Sequence, residues 1–269
     1  MTNRVDPRSI ASGALSPEER KGLMLKRINE AGRILASEAA VEFGVSEDSI
    51  RRDLRDLADA QLVHRFHGGA ARRTEVAKDF TARALDDHDP QHAIARAAAA
   101  VVPANITMLV DSDTTALQFV KALPESLALR IVTTSLDVAA AALDRPCIEV
   151  VLIGGRLNRM TRSATGSSAL AALQAVRADL CVLGACGIDP DLTLRAEDHE
   201  DAYLKSAMIK ASAQTMVLAR GSILGRTSPF LVAPISDVTS FVTEQGADPE
   251  MLEKIQAKGP QIVLAPNPS

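Results

Sequence analysis

The chain has 269 residues, room for two domains of ordinary size, and 46% of them are apolar, enough for a real core. Aromatics reach only 3% and Trp is absent, so that core must be built from Ala, Leu, Val and Ile. A net charge of −4 excludes a uniformly basic nucleic-acid coat, and Arg96, Pro103 and Asn105 interrupt the longest apolar run, 93–110, which excludes it as a membrane span.

Residues 1–15 mix polar, Gly and Pro residues, lack the apolar stretch of a secretory signal, and are expected to be a disordered tail. Ser16-Pro17-Glu18-Glu19 reads as a capping box with Pro at the first helical position. A helix follows, with Leu23, Leu25 and Ile28 on its apolar face and a stop at Gly32. Ser37 is expected to cap a short second helix, 38–43, broken by Gly44. Ser46 then caps a third helix in which Ile50, Leu54 and Leu57 recur at i, i+4, i+7 as one apolar stripe. Arg51, Arg52 and Arg55 fall off that stripe, interleaved with Asp48, Asp53, Asp56 and Asp59. Residues 62–70 read as a short strand ending in a glycine turn, the pattern of a wing. Helix, short helix, tight turn, charged helix is the order of a winged helix-turn-helix over 16–70, with the motif at about 34–53.

A short helix with a buried stripe, hydroxyls at its tip and arginines on its outer face suits the major groove of DNA. Ser46, Ser49, Arg51 and Arg52 would face the bases, while Arg55, Arg65 and His67 would meet the backbone or minor groove. From Arg51 to Arg73 there are six basic residues against three Asp, a local +3 on an acidic protein. That footprint fits a sequence-specific binder of double-stranded DNA better than a general packager. The competing reading of the same helix is an ordinary solvated charged face.

Residues 71–89 are charged, weakly periodic, and read as a linker. From Pro90 to the end, short apolar runs alternate with helical stretches. Strands are expected near 106–110, 129–133, 148–153, 179–184, 215–219, 238–243 and 262–264. Helices are expected near 91–101, 115–123, 136–143, 167–177, 199–213 and 249–258. This is an α/β domain with a mostly parallel sheet covered on both faces. Its ligands would bind beyond the carboxyl ends of the strands. Those ends carry Asp111-Ser112-Asp113-Thr114-Thr115, Thr134, Gly154-Gly155-Arg156, Thr165-Gly166 and Gly184-Ala185-Cys186-Gly187, loops rich in hydroxyls and glycines that suit a phosphate or carboxylate. Cys147, Cys181 and Cys186 form no C-x-x-C and read as small core residues of a cytoplasmic protein. His88 and His92 are spaced for a metal, but Pro90 lies between them and no third ligand is near, so neither metal nor cofactor is expected.

Arg20, the Ser46-x-x-Ser49-Ile50-Arg51-Arg52-Asp53-Leu54 run and His67-Gly68-Gly69-Ala70 together resemble the winged helix-turn-helix of the DeoR family of bacterial sugar-operon regulators. Asp111-Ser112-x-Thr114-Thr115, Gly154-Gly155-Arg156-Leu157-Asn158, Thr165-Gly166, Gly184-Ala185-x-Gly187-Ile188-Asp189, Lys205 and Gly225-Arg226 resemble that family's effector domain, which is similar in fold to ribose-5-phosphate isomerase. The resemblance spans about 16–245. It implies repression of a carbohydrate or polyol operon, tuned by a phosphorylated sugar-like effector bound in 90–269. Several positions depart from the family pattern: Ser49 for Thr, Gln61 for Gly, Asp113 for Gly, Thr134 for Asn, Cys186 for Asp and Arg195 for Thr. Arg220-Gly221-Ser222-Ile223-Leu224 stands where Asp-Ser-Ser-Lys-Phe is usual. A carboxylate at 113 would repel a phosphate and favour a polyol, a cation or an amine, and Arg195 or Arg220 could replace the missing lysine.

Two alternatives accompany the regulator reading: a sensor that has lost its ligand and serves only oligomerisation, or a sugar-phosphate isomerase. The isomerase needs a carboxylate base, and its expected position holds Cys186. Because one winged helix covers only a few base pairs, specific binding implies a homo-oligomer, dimer or tetramer, on a repeated site.

Overall fold

A computed structural model describes residues 15–266 apart from Gly32, Gln61, His67 and 73–88. The expected tail at 1–15, apart from Leu15, and the expected linker at 71–89, apart from its ends, lie outside the described residues, as do Gln61 and His67. The chain divides into two compact units, Met1–Val76 and Ala77–Ser269.

In the first unit α1 (Pro17–Ala31) starts at the expected capping box: the Ser16 backbone N–H and hydroxyl both reach the Glu19 carboxylate, and the Glu19 N–H returns to the Ser16 hydroxyl. Its buried side is Arg20, Met24 and Ile28, an i, i+4, i+8 series; Leu23, expected inside, is exposed. A three-residue strand, β1 (Arg33–Leu35), was not legible in the sequence. It leads directly into α2 (Ala36–Phe43), so Leu35 holds the cap position and Ser37 lies inside the first turn instead of capping it. Gly44 ends α2, and α3 (Glu47–Asp59) begins at Ser46, whose hydroxyl accepts the Ser49 N–H. Ile50, Leu54 and Leu57 are buried as the stripe requires, together with Met24, Ile28, Ala39, Val63 and Ala70. The wing is a hairpin, β2 (Val63–Phe66) with β3 (Gly69–Arg72), and β1 pairs with β3 to close a three-stranded antiparallel sheet.

Asp53 departs from the charged-face expectation. It is buried, and its carboxylate accepts the Arg20 Nε–H at 2.6 Å across 33 residues of sequence. Placing both members beneath α3 ties that helix to α1 through an ion pair as well as through apolar contact.

The second unit is built on a seven-stranded, wholly parallel sheet of β4 (Thr107–Val110), β5 (Leu129–Thr133), β6 (Ile148–Leu152), β9 (Ala178–Gly184), β12 (Ser212–Leu218), β14 (Ser240–Glu244) and β15 (Gln261–Ala265), in the order β15-β14-β12-β9-β4-β5-β6. Alternation along its central strands feeds two cores. Met108, Val110, Leu180, Val182, Met216 and Leu218 face one; Leu109, Cys181, Leu183 and Val217 face the other. The first core is covered by α4 (Asp89–Ala99), α5 (Thr114–Ala122) and α6 (Leu136–Leu143). The second is covered by α7 (Ser167–Gln174), α8 (His199–Lys210) and α9 (Pro249–Gln256). With Phe119 and Phe241 the only aromatics among the largest fully buried side chains, alanines such as Ala93, Ala98, Ala116 and Ala142 let helices sit close to the sheet.

Smaller pieces were not expected from the sequence. A hairpin of β7 (Arg156–Asn158) and β8 (Ser163–Thr165) follows β6, and an antiparallel sheet joins β10 (Gly187–Ile188), β11 (Thr193–Ala196) and β13 (Phe230–Pro234). Cys181 is buried as expected, but Cys147 is exposed in the turn before β6 and is not a core residue.

Removing one partner of a buried ion pair strands the other, at a typical cost of about 3–5 kcal/mol. Asp53→Ala should therefore lower the unfolding free energy of the first unit by that order in urea titrations, and Arg20→Met with Asp53→Leu should recover most of the loss. A loss from Asp53→Ala below about 1 kcal/mol, the size of a surface pair, would contradict the buried role.

Candidate functional site

The outer face of α3 is set by its inner one. With Ile50, Asp53, Leu54 and Leu57 buried, the helical period turns Arg51, Arg52 and Arg55 outward, and all three are exposed. Arg51 is held by Glu47 at 3.1 Å one turn earlier. Arg52 and Arg55 have no ion-pair partner among the described residues and present whole guanidinium forks. Ser46 and Ser49 share a hydroxyl–hydroxyl hydrogen bond of 2.9 Å at the exposed helix tip, so the Ser46 hydroxyl serves the cap as well as facing outward. Arg65 lies on β2, and His67 falls outside the described residues. This face can therefore offer two free guanidinium groups and a hydroxyl pair to a polyanion.

In the second unit the expected effector residues gather at the carboxyl ends of β4, β5 and β9, with α8 beside them. Asp111 follows β4 and is buried, and its carboxylate accepts the Gly184 N–H at 3.2 Å. Asp113 caps α5 by accepting the Thr115 N–H at 2.8 Å. Thr114 and Thr115 are buried, and their hydroxyls accept from the Gln91 side-chain amide at 2.8 and 3.2 Å. Gln91, on α4, was missed by sequence reading because nothing local marks it. Ser112 and Thr134 are buried, and the Thr134 carbonyl accepts the Ala164 N–H at 2.8 Å, docking β8 against the end of β5.

A second group lies along the β7–β8 hairpin. Gly154, Gly155 and Arg156 are exposed; Thr165 is buried and donates to the Arg156 carbonyl at 3.1 Å. A Cβ at Gly155 would stand 2.8 Å from the Thr165 carbonyl oxygen, so only glycine fits there without a shift. Gly166 holds the cap position of α7. Arg156 pairs with Glu200 at the start of α8, and Asp201 and Lys205 continue along the same helix toward the first group.

Lys205 is the hub. It is buried, and its ammonium donates to Asp111 at 3.1 Å, to Asp201 at 3.2 Å and to the Gly184 carbonyl at 3.1 Å, with the Cys186 sulfur 4.0 Å away. Burial works against that ammonium, but the surrounding carboxylates outweigh it and hold the amine well above its ordinary range. One positive charge serves several acids, however. Burial pushes the Asp111 carboxyl up to about 6 against the pull of Lys205, and repulsion from Asp201 and Asp113 adds to the rise. Arg195, expected as a spare positive charge, is taken by Asp189 at 2.8 Å; burial opposes the Asp189 carboxylate, yet hydrogen bonds from Thr193 and Arg195 hold it below the usual range. Arg220 is half-buried just before a short 3₁₀ turn, Gly221–Ile223. A shallow groove of about 500 Å³ on α5 and α6, lined by Lys121, Asp137 and Arg145 among others, contains none of the expected effector residues.

A winged helix-turn-helix with an arginine-edged third helix, carried on the same chain as an α/β unit whose strand ends converge on a buried ion cluster, defines a DNA-binding transcriptional regulator with a sensor domain. Family models bear this out. One described as the DeoR-like helix-turn-helix domain matches residues 20–76, and one described as the DeoR C terminal sensor domain matches 86–245. The chain belongs to the DeoR family. The glycerol-3-phosphate regulon repressor of Escherichia coli is 30% identical, over 84% of this chain and 90% of that protein. The HTH-type transcriptional regulator GlpR of Haloferax volcanii is 28% identical over 92% and 97%. The HTH-type transcriptional regulator GolR of Listeria innocua is 25% identical over 93% and 99%. Among solved structures, ribose 5-phosphate isomerase A from Methanocaldococcus jannaschii is 17% identical with a TM-score of 0.38 over 50% of this chain and 53% of that one, a likeness too slight to bear on activity. No helix among the described residues is long and apolar enough to cross a membrane.

The raised Asp111 carboxyl has a measurable consequence. Because the folded state holds its proton more tightly than the unfolded chain does, the stability it contributes is complete below about pH 4 and is lost as pH rises through about 6. Asp111→Asn removes that loss. The variant should gain on the parent by roughly 1–2 kcal/mol between pH 5 and pH 8 in urea titrations. A variant that instead falls behind the parent as pH rises would contradict the assignment.

Proposed function

We propose that this regulator is a cytoplasmic repressor of a carbohydrate or polyol operon, released or tuned by a small sugar-like metabolite bound at the carboxyl ends of β4, β5 and β9. The observation that carries the DNA-binding half is the free pair Arg52 and Arg55 on the outer face of α3, opposite a buried stripe that fixes the helix. Arg51 and Arg52 read base edges; Arg55, Arg65 and His67 meet the phosphate backbone or minor groove; Ser46 and Ser49 contact bases near the helix tip. The effector half rests on the buried polar residues Asp111, Ser112, Thr114, Thr115, Thr134 and Lys205 at or near the strand ends, with Cys186 beside Lys205.

The chain acts as a dimer or tetramer, since one winged helix covers too little sequence for specific binding at physiological salt. Leu143, Val151, Leu152 and Leu157, exposed at or near the sheet-edge strand β6, support that part of the reading. An isomerase activity is disfavoured by the chemistry at Cys186, where a carboxylate base would be needed. A ligand-silent sensor is favoured by one observation, the committed donors of Lys205, and it predicts that no sugar, polyol or sugar phosphate changes promoter affinity.

Arg52→Ala should cost about 1–3 kcal/mol of discrimination against non-operator DNA while leaving the thermal unfolding curve of the protein unchanged. Gel-shift titration against the protein's own promoter measures it; binding at parental affinity would reject the role given to Arg52.

A further inference from the structure

Strand β6 is one edge of the seven-stranded sheet, with β5 as its one neighbour among the described residues. The Ile153 N–H donates to the Thr133 carbonyl at 2.8 Å, and the Leu129 N–H donates to the Cys147 carbonyl at 3.3 Å. Residues 147 and 153 therefore turn their backbone groups toward β5, and by the alternation of a strand 149 and 151 do the same. Val150 and Leu152 turn theirs outward, where neither has a backbone partner among the described residues. Such edges are usually blocked by proline, a bulge or a charge. Residues 148–152 hold no proline and a single charge, Glu149, which Arg130 neutralises from β5 at 2.7 Å.

Helix α6 adds an apolar flank to the same edge. It buries Val138, Ala139 and Ala142 and turns Asp137, Ala140, Ala141 and Asp144 to the groove shared with α5. The helical period leaves Leu136 and Leu143, seven apart, on the flank away from α5. Because β4, β5 and β6 lie side by side in that order, this flank looks toward the free edge. Leu143 is 71% exposed, and Leu152, on the face of β6 that α6 covers, is 47% exposed. A lone peptide strand would fill the edge and leave Leu143 in water; a second copy covers both. Antiparallel pairing of β6 with its counterpart about a two-fold axis at Val150 sets Val150 against Val150 and Ile148 against Leu152, with the outward backbone groups in the hydrogen-bonded positions. Glu149 then faces Val151 of the other copy, so no like charges meet. We propose that the edge of β6 and the Leu136–Leu143 flank of α6 are the docking surface for a second copy of this chain, joined by antiparallel β6–β6 pairing centred on Val150. This rests on the dimer reading above and gives it a surface and a register.

The test is sedimentation of the full-length parent, V150P and L143E at micromolar concentrations. Proline at 150 deletes an outward N–H that the sheet of one copy does not use, and Leu143 is exposed, so both variants should keep the parental circular dichroism spectrum. The parent should sediment as a dimer or tetramer, and each variant should lose one level of assembly, its association weakened by about tenfold or more. L143E alone decides should V150P fail to fold. Mild oxidation reads the register. In a Cys147→Ser chain, V150C places two thiols at the axis and should give an interchain disulfide. In the parent the exposed Cys147 thiols stand three residues from the axis on opposite sides, about 20 Å apart, and should give none. An assembled parent whose variants sediment unchanged, or a V150C chain that forms no interchain disulfide, would overturn the proposal and leave the dimer reading intact. A monomeric parent would overturn both.

Discussion

The ion pair between Arg20 and Asp53 fixes which face α3 turns outward. A helix with a buried stripe of Ile50, Leu54 and Leu57 could still roll by a few tens of degrees over its apolar support. A 2.6 Å charged contact from Asp53, inside that stripe, to Arg20 on α1 removes that freedom. Burying two charges costs solvation that their attraction only partly offsets, so such a pair is better understood as specifying an orientation than as adding stability. The orientation it specifies places Arg52 and Arg55 outward with their guanidinium groups uncommitted among the described residues.

The sensor unit uses the same device with a different outcome. Lys205 binds together the ends of β4 and β9 and the body of α8, through two carboxylates and a carbonyl. Here acids outnumber the base. Burial raises the Asp111 carboxyl and the excess of acids adds to the rise, and Asp113 places a further negative charge at the N-terminus of α5, the helix that follows β4. The parallel sheet makes such a crevice wherever adjacent strands feed loops on the same side, and the residues in those loops decide its chemistry. In this chain they have assembled a largely buried acidic cluster whose cation is already satisfied.

Much of this was legible in the sequence. Ser16 and Ser46 cap the helices they were expected to cap, because a cap is decided within four residues. All seven strands of the parallel sheet were found at nearly their observed positions, since buried strands write near-continuous apolar runs. What escaped was decided at long range. Asp53 looks like Asp48, Asp56 and Asp59 in sequence, and only the approach of α1 from 33 residues away distinguishes it. Strand β1 is three residues long and exists because β3 pairs with it. Ser37 lost its cap because β1 runs straight into α2. Gln91 reaches two threonines on a different helix, and Arg195 finds Asp189 across a β-turn; neither pairing leaves a local trace. Leu23 and Cys147 were placed inside on hydrophobicity alone, where Met24 and the path into β6 determined otherwise.

The most direct test of the central claim, that the outer face of α3 reads sequence, is equilibrium binding of the full-length protein to its own promoter and to a scrambled duplex of equal length, across a range of salt and with and without sugars and polyols. The expected result is a preference for the promoter of about 10³-fold or more in at least one metabolite condition, with affinity for both duplexes falling as salt rises. Equal affinity for the two duplexes in every condition would contradict it.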